Sequence, residues 1–91
     1  MANDKLGVRT VTDNTRVVES DVLVVCNTTS AINVYLPAAD GTSKVYYIKN
    51  INTGVVTIHP DCYDTIDGDS LEYLYQWGGI CIVDYAKTKW I

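Results

Sequence analysis

Five acidic residues, Asp61, Asp64, Asp67, Asp69 and Glu72, crowd into one stretch beside His59, the single histidine of the 91-residue chain. Carboxylates at such density suggest a calcium loop. An EF-hand needs acidic or amide side chains at loop positions 1, 3 and 5, a Gly at 6 and a Glu at 12. With Gly68 as the sixth position, those places hold Tyr63, Thr65, Asp67 and, at the twelfth, Leu74. The EF-hand pattern fails, and an acidic solvated turn is the simpler reading. Cys26, Cys62 and Cys81 are an odd number without CxxC spacing, which argues against both a disulfide framework and a zinc site. Cys26 and Cys81 lie in the apolar runs VLVVC and ICIV, where a thiol is expected to pack as a small buried hydrophobe. No Ser or Cys nucleophile has a base placed by a recognisable motif, and there is no Gly-rich phosphate loop. The chain is read as non-enzymatic, with no cofactor and no metal expected.

A second candidate is aromatic. In LEYLYQW, Leu71, Tyr73, Tyr75 and Trp77 fall on one face of an extended strand, with Glu72, Leu74 and Gln76 on the other. Flat rings with polar tips suit a sugar, so Tyr73, Tyr75 and Trp77 are candidate glycan contacts. Burial of that row in the core or in a subunit interface is the preferred expectation, because Leu71 shares the face and large aromatics dominate buried area.

The elements that would position these residues are short strands. GVRTVT, TRVVE, DVLVVCN, INVYLP, VYYIKN, VVTIHP, LEYLYQW and ICIVDY recur about every ten residues, separated by turn-forming residues. β-Branched residues and Tyr dominate, and no long window shows apolar residues at helical spacing. The expectation is one all-β domain over residues 13–91, a small antiparallel β-sandwich or β-prism-like module built from hairpins. Residues 1–12 are expected to form a flexible N-terminal or attachment segment. Asp67-Gly68 has the composition of a two-residue turn that needs φ > 0.

Composition excludes several classes. The net charge is −4, with seven Lys and Arg scattered along the chain, so nothing points to nucleic acid. No apolar run approaches the ~18–20 residues of a membrane-spanning helix, and no membrane insertion is expected. At 47% hydrophobic and 20% charged residues, the chain is rich for a small monomer. The runs VLVV, VYYI and ICIV are apolar on both faces, whereas a half-buried strand alternates with polar residues. A two-sheet domain buries one face of each sheet, and no helix is present to cover the other. An obligate oligomer is therefore favoured over scattered exposure of apolar side chains.

The order VYYIKN, NTG, VVTIHP, then TIDGD, a strand, Gly78-Gly79, ICIVDY and a terminal Lys89-Trp90-Ile91 resembles a β-module of bacteriophage fibre and spike proteins, of tail-fibre or head-fibre type. NVYLPAADGTSKVYYIKN resembles its upstream part, so the likeness runs from about Val17 to Ile91. The family's Asp-Gly-Thr-type turn before the final Trp is replaced here by Tyr85-Ala86-Lys87-Thr88-Lys89. The resemblance implies a homotrimer, intertwined or side by side, with a structural role in the virion. Its partners would be other virion proteins and a host surface glycan, and its location the virion and, during assembly, the host cytoplasm. In a trimer, His59 could meet its copies on the threefold axis and hold an ion. The alternative is a monomeric carbohydrate-binding module that recognises surface glycans.

Overall fold

A computed structural model describes residues 7–91. The strands are β1 (Val8–Val11), β2 (Thr15–Arg16), β3 (Leu23–Cys26), β4 (Ile32–Tyr35), β5 (Val45–Asn50), β6 (Val56–His59), β7 (Thr65–Ile66), β8 (Glu72–Leu74), β9 (Gly79–Ala86) and β10 (Lys89–Trp90), with no helix among the described residues. They form a six-stranded sheet ordered β1-β3-β5-β9-β10-β7 and a four-stranded sheet ordered β2-β4-β6-β8. The all-β expectation holds. The antiparallel hairpin arrangement does not.

From β1 to β9 each strand lies in the opposite sheet from the one before it, so consecutive strands do not pair. VYYIKN and VVTIHP, expected as a hairpin, are β5 and β6 in different sheets. Pairing runs between successive turns of a flattened coil. β1, β3 and β5 are parallel, as are β2, β4 and β6. Leu23 stands opposite Tyr47 and Ile32 opposite Val56, a 24-residue step in both sheets. The coil then reverses: β8 runs antiparallel to β6, and β9 antiparallel to β5. Among the described residues, only strands β9 and β10 form a hairpin, through Lys87 and Thr88, the latter at φ 67°. The two-sided apolar runs put one face in the core and turn the other outward, as with buried Tyr46 and Ile48 against exposed Val45 and Tyr47.

The N-terminal expectation is also corrected. Val8–Val11 is paired with β3 at four positions, so the folded domain begins before Thr12, and residues 1–6 lie outside the described set. Arg9 occupies an inward position of this first turn. Its guanidinium donates to both carboxylate oxygens of Asp21 (3.1 and 2.8 Å), to Thr15 Oγ1 (2.8 Å) and to the Arg16 carbonyl (3.0 Å). A charge at the end of a coil satisfies the polar groups there and discourages edge pairing.

The core lies between the sheets, where like stacks on like from turn to turn. Val24 aligns with Ile48, Ile32 with Val56 and then Leu74, and Val34 with Ile58. Burying each such aliphatic side chain contributes about 1.5–3 kcal/mol. Cys26 is in this core, as expected. Cys81 points outward and is exposed, because it alternates with buried Ile82. The one buried amide of the stack, Asn50, is fully engaged at the β5–β6 corner. Its Nδ2 donates to the Gly54 and Leu74 carbonyls (both 2.9 Å), and its Oδ1 accepts the Asn52 N–H (3.1 Å). Gly54 is required beside it, since a methyl group there would overlap the Ser30 carbonyl of the preceding turn. Asp67 and Gly68, at φ 51° and 85°, make the tight turn expected of them, closed by reciprocal hydrogen bonds between Ile66 and Asp69.

Candidate functional site

Two sheets leave two outward faces, and they differ in chemistry. On the six-stranded sheet, the apolar residues alternating with the core are Val8, Leu23, Val25, Val45, Tyr47, Cys81, Val83 and Tyr85, with Thr10, Lys49, Gly79 and Lys89 on the same side. Register aligns Val8, Leu23, Tyr47 and Cys81 into one row across four strands, and sets Val45 beside Val83. Val8, Val45, Tyr47 and Tyr85 are each more than 40% exposed, so the chain itself does not cover this face. A shallow apolar depression of about 400 Å³, lined by Leu23, Tyr47, Lys49, Ile80 and Cys81, lies at its centre. The hydrogen bond to Cys81 shifts the Tyr47 phenol above its ordinary value.

The four-stranded sheet carries a polar and aromatic row instead. Arg16, Tyr35 and His59 are in register on β2, β4 and β6. The Arg16 guanidinium lies 5.7 Å from the centre of the Tyr35 ring, which stacks on His59 at 4.8 Å and 23°. His59 Nε2 is 2.8 Å from Asn33 Oδ1, and Asn14 Oδ1 accepts the Asn33 backbone N–H at 2.7 Å. His59 therefore stands on the opposite face of the molecule from the apolar row. An axis that passed the apolar face could not also gather three copies of His59.

Tyr73, Tyr75 and Trp77 are 53%, 65% and 64% exposed. Of the preferred expectation, burial in the core or in a subunit interface, the core half is overturned: Leu74, from the opposite row, is the buried residue. The three do not share a strand either, because β8 ends at Leu74 and a turn follows. Trp77 adopts φ 68°, its N–H donates to the Asn50 carbonyl (2.7 Å), and its own carbonyl accepts Lys49 Nζ (2.6 Å). The rings remain close in sequence and open to solvent, without the regular spacing of a strand face.

The acidic residues split, with Asp64 turned inward and Asp67, Asp69 and Glu72 near one another. Asp64 is buried and accepts the Ala39 N–H (2.8 Å), a structural role. Burial, with Asp69 and Asp67 nearby, raises the Glu72 carboxyl above its ordinary value. Among the described residues, no three His, Cys, Asp or Glu side chains are grouped to hold a metal ion. For Cys26, burial pushes the thiol up to about 11, against a smaller opposing effect of Arg9, so it stays protonated at neutral pH.

Sequence reasoning missed a polar cluster around Asp84. This buried carboxylate accepts the N–H groups of Gly41 (2.6 Å) and Asp40 (3.1 Å) and the Thr42 hydroxyl (3.3 Å), fixing the loop between β4 and β5. Beside it, the Trp90 indole is 1% exposed, tilted against Tyr46 at 5.8 Å, and its Nε1–H has no acceptor among the described residues. The signal available was an Asp alternating with apolar residues in ICIVDY, at a position that must face inward. Comparisons of the chain with protein-family models, with curated proteins and with solved structures find no match.

Proposed function

We propose that the protein is a non-enzymatic structural module of a bacteriophage virion, in a fibre, spike or capsid decoration, and that it self-associates as a homotrimer. One observation carries the self-association: the aligned, exposed apolar row on the outer face of the six-stranded sheet. Contiguous apolar faces of this kind are rare on monomers. The molecule is a slab about 32 × 30 Å across and 18 Å thick. Its broad face is large enough for a standard interface of about 800 Å² per partner. The virion assignment rests on the motif order from Val45 to Ile91, and a coil of stacked turns suits a rigid, protease-resistant element of such a particle. The second reading, a monomeric carbohydrate-binding module, is favoured by the exposure of Tyr73, Tyr75 and Trp77 alone.

Sedimentation equilibrium at micromolar concentration separates the two. The expected result is three times the chain mass for the native protein and one chain mass for Tyr47→Glu, with both keeping the same β-type circular dichroism. A native monomer overturns the trimer. Retention on immobilised host glycans that is lost in Tyr75→Ala, by a monomer that stays folded, establishes the second reading instead. Antibody to the chain should decorate purified phage particles, and its absence from them removes the virion role.

A further inference from the structure

The outer face of the four-stranded sheet carries two rows. Arg16, Tyr35 and His59 are in register on β2, β4 and β6. Two positions away along the strands, Asn33, Thr57 and Tyr73 are in register on β4, β6 and β8. Neighbouring strands lie ~4.8 Å apart, so the patch is about 14 Å wide. Tyr73 thereby parts from Tyr75 and Trp77, which lie beyond the end of β8, and joins Tyr35 on this face.

The groups on this patch are held in place and reach solvent. Arg9 is paired with Asp21 and Lys44 with Glu19, whereas Arg16 makes no ion pair among the described residues. Its exposed guanidinium is set over the Tyr35 ring, which presents a planar donor fork ready for an acceptor. The Asn33 amide is oriented by donation from its Nδ2 to Asn14 Oδ1 at 3.4 Å, so its Oδ1 faces His59 Nε2 as an acceptor. Nε2 therefore carries the proton, and Nδ1 of the neutral ring is left as an acceptor. The Tyr35 and Tyr73 rings are both exposed.

These groups ask for three things in one ligand. The guanidinium calls for a carboxylate, His59 Nδ1 for a hydroxyl, and the rings for a flat surface of C–H groups. A hexuronic acid carries all three on a single ring. An acidic peptide satisfies Arg16 alone, and a nucleic acid needs a run of cations that this face lacks.

We infer that the outer face of the four-stranded sheet binds an acidic glycan built of hexuronate units. Arg16 holds the carboxylate, His59 accepts a hydroxyl, and Tyr35 and Tyr73 stack on the sugar rings. The patch lies on the opposite side of the slab from the apolar row, so binding does not require self-association.

The test is a titration of the ¹⁵N-labelled full chain with tetragalacturonate and tetramannuronate. The backbone amides of Arg16, Tyr35 and His59 report on the patch, and that of Tyr47, on the other face, is the control. The methyl ester of tetragalacturonate removes the charge alone, and tetraglutamate keeps carboxylates without sugar rings. At least one uronate should shift the three amides saturably below about 10 mM, the range of millimolar binding. The ester should bind about tenfold more weakly, the loss of a charged hydrogen bond. Arg16→Gln should weaken the acid to the level of the ester, and Tyr75→Ala should bind as the native chain does. Absence of a saturable shift with both uronates overturns the site, as does an equal shift at Tyr47. Preference for acid over ester that persists in Arg16→Gln overturns the role of the guanidinium. Tetraglutamate binding as tightly as either uronate overturns the ligand class. Binding lost in Tyr75→Ala but kept in Arg16→Gln places the sugar on the exposed turn instead and overturns this patch.

Discussion

The three thiols occupy three environments, and their reactivity reports on more than packing. Cys26 is buried with its thiol held protonated, Cys62 is exposed in a turn, and Cys81 is exposed in the apolar row beside Tyr47. Titration of the native protein with Ellman's reagent should leave Cys26 unreacted until denaturant is added, while Cys62 reacts at once. Cys81 should be protected in the trimer and should react in Tyr47→Glu. Rapid labelling of Cys26 in native protein would contradict the core placement. Asp84 makes a prediction about acid. Its burial works to raise the carboxyl, but the N–H donors of Asp40, Gly41 and Thr42 outweigh this and hold it below the ordinary 3.8. A depressed folded value means stability that is complete above the unfolded value and is lost as pH falls through the folded one. That loss belongs below about pH 4. Asp84→Asn should cost about 1.5–3 kcal/mol at neutral pH, the scale of hydrogen bonds to a charged group. It should also flatten the acid limb of the stability curve measured by urea denaturation. An acid limb unchanged by the substitution would remove Asp84 as its source.

Turning from side chains to strands, the corners between sheets are where the coil is most sensitive. Gly54 N–H donates to the Thr28 carbonyl (2.9 Å), and no space for a methyl exists against Ser30. Gly54→Ala should destabilise the domain by about 3 kcal/mol or more, the upper range for overpacking. Gly68→Ala is expected to cost less, because its surroundings are open and only its positive φ resists. A midpoint shift of equal size for the two would refute the corner argument. Strand identity was legible because alternation sorts residues by face: Val24, Tyr46, Ile48 and Ile82 are buried on strands read from the sequence. Pairing was not legible, since adjacent apolar runs separated by Asn-Thr-Gly resemble hairpins. The available signal was a repeat at a 24-residue step. Leu23–Leu36 aligned over residues 47–60 matches Val24 with Ile48, Ile32 with Val56 and Val34 with Ile58. It is disguised because the interior position held by Cys26 in one turn is Asn50 in the next. The exposed rings were misjudged for a related reason: a turn after Leu74 breaks the period that placed Tyr75 and Trp77 on a strand face.

At the level of the whole molecule, the two outward faces differ in chemistry. The apolar row suits contact with copies of the same chain, and the row of Arg16, Tyr35 and His59 is left turned outward by such an arrangement. Little of this could be read beforehand, because which face an exposed residue joins depends on pairings 24 or more positions apart. The packing of Trp90 depends on longer ones, to Tyr46 in β5 and to a loop that Asp84 ties down. The late reversal of the coil has a further consequence, for biogenesis. Until β8 and β9 have been synthesised, β5 and β6 have bare edges in both sheets, and an unpaired strand edge next to an apolar face is a template for aggregation. Closure must wait for the pairing of Gly79–Val83 with Val45–Lys49, a contact of long sequence separation that slows folding. The nascent chain therefore spends its synthesis exposed to neighbouring copies of itself, and slower translation lengthens that exposure.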